Sequence, residues 1–180
     1  MGILPWASES RYLGVYVVAG TKFSCNFSNS KSKFYRSANA ILGKLGSQRN
    51  PAVAMQLISS VALPILTFGT EALDFTKTQT ISLEHPWTRI FMKVYSTFDS
   101  QTVKLCQFYS GTLPLNYNIA IRKVAFINKL FFTDNGLLIF FYESKGIPDI
   151  LEIAAKFNLF NASFQYNTSD ILHEHFNNSL

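Results

Sequence analysis

The stretch from Phe27 to Leu45 constrains this chain more than any other. At about 100° per residue, Phe27, Phe34, Ala38, Ile41, Leu42 and Leu45 fall on one face of a helix. Lys33, Arg36 and Lys44 fall together on roughly the opposite face. Such a segment can be neither wholly buried nor free-standing. It predicts a helix resting its apolar side on a core and turning a cationic side outward, with Gly46 as its stop.

The placement of charge sharpens that expectation. The chain carries 16 Lys+Arg against 11 Asp+Glu, a net charge of +5. From Ser10 to Asn50 there are seven basic residues (Arg11, Lys22, Lys31, Lys33, Arg36, Lys44, Arg49) and no acidic one. Between positions 51 and 150 the signs nearly balance, and the last thirty residues are slightly acidic. A one-signed block of this kind is either a solvated face or a phosphate-contacting one. With 48% hydrophobic and 15% charged residues in 180, the chain can bury a real core, and disorder is excluded. Two cysteines, Cys25 and Cys106, exclude a disulfide scaffold and a four-cysteine zinc module. His173 and His175 lie two apart, so on a helix they could not share a metal. Glu9 and Arg11 follow a short apolar start, which is no signal peptide. The sequons at Asn26, Asn161 and Asn167 therefore have no route to glycosylation, and an intracellular location, cytoplasmic or nuclear, is expected.

The remaining elements follow from periodicity and punctuation. Arg11 to Val18 is rich in β-branched and aromatic residues and reads as one strand, whose partner is expected in a sheet upstream. Asn50-Pro51 caps and opens a second helix through Phe68, which Pro64 should kink or end early. Ala52 to Thr70 is uncharged, so a membrane span is weighed there against a buried core helix. A third helix is expected from Thr78 to Tyr95, or beginning only at Pro86 with a separate turn before it. Further helices are expected at Gln101–Tyr109 behind an Asp99-Ser100 cap, at Asn118–Phe132, at Asp149–Phe160 and, weakly, from Ser169 to Phe176. On the fifth, Arg122, Lys123 and Lys129 should point largely outward, and Leu137–Tyr142 reads as a strand or another buried turn. The fold class is mainly α: a short N-terminal β-strand, a helical thumb-like bundle and a helical tail.

No catalytic constellation appears. There is no phosphate-binding loop of the Gly-x-x-x-x-Gly-Lys type, no Gly-x-Gly-x-x-Gly and no His-Glu-x-x-His. Glu71 and Asp74 share a spacing of three but follow Gly69 at an expected helix end, where solvated or capping roles are the ordinary ones. Cys106 falls on a helix and reads as a packed thiol rather than a nucleophile.

Four blocks, in order, point further: Arg11-Tyr-Leu-Gly-Val-Tyr-Val, Lys33-Phe-Tyr-Arg-Ser-Ala-Asn-Ala-Ile, Leu63-Pro-Ile-Leu-Thr-Phe-Gly-Thr-Glu-Ala-Leu and Arg89-Ile-Phe-Met-Lys-Val-Tyr. Over about residues 5 to 130 the chain resembles the region downstream of the catalytic core in reverse transcriptases of LINE-type (non-LTR) retrotransposons. The resemblance implies that positions 1–22 hold the end of the polymerase palm and 23–133 a helical thumb. Positions 134–180 form a helical tail of no known counterpart. It implies an RNA–DNA template–primer duplex as partner, a separate palm domain, and no small-molecule substrate. The thumb would grip the duplex through Lys33, Arg36, Lys44, Arg89 and Lys93, with Ser37 and Asn39 adding neutral phosphate or sugar contacts.

The family's aromatic-Ala-Asp-Asp turn does not occur here, nor does its endonuclease or a Cys/His knuckle. The intact enzyme would use Mg²⁺; this chain is expected to hold no cofactor and to be inactive alone, as a truncated copy would be. Two other readings remain open. One is a stand-alone helical module binding nucleic acid or protein; the other is a membrane-associated protein anchored by Ala52 to Phe68.

Overall fold

The computed structural model describes residues 6–21, 24–46, 50–157 and 168–180. The protein is mainly α, with a small N-terminal sheet followed by helices. Strands β1 (Glu9–Tyr12), β2 (Val15–Val18) and β3 (Ser24–Asn26) form an antiparallel sheet in chain order. The single strand expected over Arg11–Val18 is instead a hairpin that pairs with itself, Arg11 opposite Tyr16 and Tyr12 opposite Val15. The reason is its two-residue turn. Leu13 and Gly14 both have positive φ, 46° and 92°, the requirement of the tight turn whose twist matches that of the strands. The turn docks on the Phe68-Gly69 corner. A Cβ on Gly14 would lie 3.1 Å from the Phe68 ring, and one on Gly69 (φ 78°) would lie 2.9 Å from Val15 Cγ2.

Helix α1 spans Ser28–Leu45 and buries Phe34, Ala38 and Leu42. Asn50 Oδ1 accepts from the Ala52 amide to start α2 (Pro51–Leu57). A π-helical turn, Ile58–Ala62, then leads into α3 (Leu63–Thr67). The disturbance expected from Pro64 thus appears as a change of hydrogen-bond pitch just ahead of it, the Leu63 amide donating to the Ile58 carbonyl five residues back. Among the described residues no helix is long and apolar enough to cross a membrane.

Helix α4 runs unbroken from Lys77 to Tyr95. It starts ahead of Thr78 because Thr76 and Gln79 form a reciprocal capping box, each side chain accepting from the other's amide. The break considered at Pro86 does not occur. Pro86 is buried, as are Leu83, Trp87, Ile90 and Phe91 of the same helix, and the helix runs through it despite the bond the proline cannot donate.

Asp99 accepts from the Thr102 amide at 2.7 Å to cap α5 (Ser100–Tyr109), and α6 follows at Leu115–Phe131. Where Leu137–Tyr142 was expected as a strand or a buried turn, α7 (Gly136–Phe141) is helical and exposed along its length. A π-helical turn, Tyr142–Gly146, joins it to α8 (Ile147–Lys156); α9 spans Thr168–Asn178. The expected end of α8 at Phe160 and the sequons' Asn161 and Asn167 lie outside the described residues.

Buried side chains gather in two clusters. The larger joins Phe34 and Leu42 of α1, Met55 and Ile58, Leu66, and Trp87 and Phe91 of α4. Trp87 Nε1 donates to the Leu113 carbonyl at 3.1 Å, so the largest buried ring is also satisfied. The second cluster joins Tyr117 and Val124 of α6 to Ala154, Phe157, Leu172 and Phe176. The tail therefore packs on α6, inside the stretch read as thumb.

Candidate nucleic-acid interface

Helix α1 carries four cations and no acid. Lys33, Arg36 and Lys44 are exposed, on a helix whose reverse is fully packed. Among the described residues these three make no ion pair. Lys33 and Lys44 are separated by about 16 Å along the axis and about 20° around it, a ridge in one line. Ser37 lies between them, half-buried, and Ala40 and Gly43 keep the ridge low.

The second pair, Arg89 and Lys93, is exposed on α4 and runs beside α1. Lys93 Nζ donates to Asn39 Oδ1 at 2.7 Å. The Tyr35 hydroxyl is pushed up by burial, and the nearby Arg89 charge pulls it down. Tyr35–Asn39 and Arg89–Lys93 are thus matched i, i+4 pairs across the α1–α4 seam. Asn39, expected as a sugar or phosphate donor, instead has its acceptor oxygen engaged by Lys93. Arg36 lies about 60° around α1 from Asn39, on the flank between the seam and the Lys33–Lys44 ridge. The cations form a band that turns around α1 and is continuous only through Arg36. Lys31 donates to Ser82 Oγ at 2.9 Å and pins α1 to α4. Lys22 and Arg49 lie outside the described residues.

A second group of cations is neutralised. Arg122 and Lys123, expected outward, are half-buried and paired: Arg122 with Glu71 at 3.3 Å, Lys123 with Asp74 at 2.8 Å and Asp149 at 3.0 Å. Lys145 reaches the same two aspartates. Glu71 and Asp74, expected as solvated or capping groups, are the acids that hold these cations. Their partners lie 49 to 71 residues away, so helical spacing carries no signal of them. The pairing takes Arg122, Lys123 and Lys145 out of the exposed positive field, which the cations of α1 and α4 share with exposed Arg11, Lys104, Lys129 and Lys156.

Nor do these acids suit a divalent metal. Asp74 and Asp149 converge on two ammonium groups, which supply the positive charge a metal would. Among the described residues no group of three or more His, Cys, Asp or Glu side chains could hold an ion. Burial pushes the thiols of Cys25 and Cys106 up, which keeps them protonated at neutral pH. Comparison with protein-family models, with curated proteins and with solved structures returned no match.

Proposed function

We propose that this chain is the palm-end and thumb portion of a non-LTR reverse transcriptase, gripping template–primer duplex through α1 and α4 and lacking the catalytic centre. One observation carries the reading: Lys33, Arg36 and Lys44 stand exposed, with no ion pair among the described residues, on an acid-free helix whose other face is core. A duplex backbone is a rail of phosphates, and such a ridge can lie along it without reading sequence. Arg89 and Lys93 extend the track around the seam. The Mg²⁺ of the intact enzyme would be held by carboxylates this chain does not contribute.

The test is a salt titration with a short RNA–DNA duplex. Affinity should fall steeply with salt. Replacing Lys33, Arg36 and Lys44 together by alanine should flatten the log–log slope by about 2.7, at about 0.9 for each phosphate no longer neutralised. An unchanged slope would refute the grip. Alone, the chain should incorporate no nucleotide on a primed RNA template. A stand-alone binding module is the second reading, favoured by the chain's own closed core around Trp87, Phe34 and Phe91. It predicts that duplex affinity does not rise when a separate palm is supplied.

A further inference from the structure

One edge of the N-terminal sheet presents unpaired main-chain groups. The Ala19 amide donates to the Ser8 carbonyl at 2.8 Å, and in the same register Ser10 lies opposite Val17 and Tyr12 opposite Val15. Antiparallel ladders alternate, so Ser8, Ser10 and Tyr12 turn their amides and carbonyls toward β2. Those of Glu9 and Arg11 therefore point away from it. All four β1 residues are exposed, and among the described residues β1 has β2 as its only neighbour in the sheet. Such a row of open donors and acceptors is a template for another strand. The sheet's other edge is not: β3 has three residues, all half-buried, and its Cys25 packs on the larger cluster.

The side chains on the open edge select the strand it takes. Edges are commonly guarded by lysines, whose like charges repel a second copy. Glu9 and Arg11 are instead opposite in sign and two residues apart. Let two copies of β1 meet antiparallel about a two-fold axis through Ser10. Glu9 of each copy then lies opposite Arg11 of the other, and these are the residues whose main-chain groups face outward. Each such pair exchanges both of its main-chain hydrogen bonds, and opposite charges meet on both sides of the axis. Asn26 Nδ2 donates to Glu9 Oε2 at 3.0 Å, which leaves Oε1 for the arginine. The nearest alternative registers lie two residues away, because the pleat repeats in twos. They would set Glu9 against Glu9 or Arg11 against Arg11.

We propose that two copies of this chain pair edge to edge through β1, Glu9 against Arg11, joining their three-stranded sheets into one of six strands. The half-buried β3 edges do not continue the sheet, so the contact closes as a dimer rather than a fibre. It uses none of the α1 or α4 cations, so this inference and the grip on duplex can fail separately.

Cysteine capture and sedimentation of the full chain test it. Ser10 lies on the axis, opposite its own copy in a non-hydrogen-bonded pair with Cα atoms about 4.5 Å apart, within disulfide reach. Ser10→Cys should therefore yield a covalent dimer under oxidised glutathione, beyond any that the unaltered chain forms. Ser8→Cys, which faces Tyr12 of the other copy, should not. In sedimentation, Glu9→Arg and Arg11→Glu should each weaken the dimer by at least about tenfold, since each sets like charges opposite on both sides of the axis. The two reversals together should restore it, an outcome that loss of folding cannot imitate. No capture through Ser10→Cys, equal capture through Ser8→Cys, or single reversals without effect would overturn the proposal. So would weakening that the double reversal leaves in place, or a chain that stays monomeric until a separate palm domain is supplied.

Discussion

Leu13 holds a φ of 46° at the tip of the β1–β2 hairpin, with its side chain 78% exposed. A leucine there bears left-handed strain and gains little packing in return. Leu13→Asn should therefore stabilise the protein by about 1 kcal/mol, read as a higher thermal midpoint. A fall in the midpoint would show that Leu13 packs better than its exposure implies. Lys123 is the opposite case. It neutralises Asp149, whose side chain is 11% exposed, and removing it leaves that charge with Lys145 alone at 3.6 Å. Lys123→Ala should cost about 3 kcal/mol in urea unfolding. The same cluster sets a pH window. Hydrogen bonds from Lys123 and then Lys145 hold the Asp74 carboxyl below the usual carboxylate range. Its contribution is complete above that range and is lost as pH falls through the lowered value. Lys145 is raised, first by its hydrogen bond to Asp74, so its contribution is complete below the usual lysine range and lost as pH climbs through the raised value. Asp74→Asn should flatten the acid limb of a plot of urea midpoint against pH, and an unaltered limb would assign acid lability elsewhere.

At the scale of elements, α1 was legible because its period is written within eighteen consecutive residues. Helix α4 was only partly so. Its capping box at Thr76 and Gln79 is a local signal that could have placed the start, whereas the fate of Pro86 depended on what surrounds it. A proline inside a helix costs about 3 kcal/mol in isolation, and burying its ring recovers part of that. Pro86→Ala restores a donor to the Ser82 carbonyl at the loss of two ring carbons' burial. A net gain of about 1 kcal/mol is expected by chemical denaturation; a loss would mean that ring packing outweighs the hydrogen bond. The hairpin was missed for a related reason. Arg11–Val18 has the composition of one strand, and the left-handed Leu13 at its turn breaks the usual preference for asparagine or aspartate before glycine.

On the scale of the whole molecule, two apolar clusters meet along α6, and α7 stands outside both with Leu137 81% and Phe140 68% exposed. Exposed apolar helices of this kind drive association. Sedimentation should show mass rising with concentration beyond a dimer, and Leu137→Lys with Phe140→Lys should abolish that further rise while changing stability by no more than about 0.5 kcal/mol. A mass that never exceeds a dimer's would remove the expectation. The two-faced character of α1 follows from residue order alone, because helical geometry assigns each side chain an angle whatever else the chain does. The setting of Arg89 and Lys93 along α1 could not be read that way. Nor could the cancelling of Arg122, Lys123 and Lys145 by Glu71, Asp74 and Asp149. Those join residues on different elements, and which elements meet is set by how the apolar faces pack, a property of the assembled core and of no local stretch.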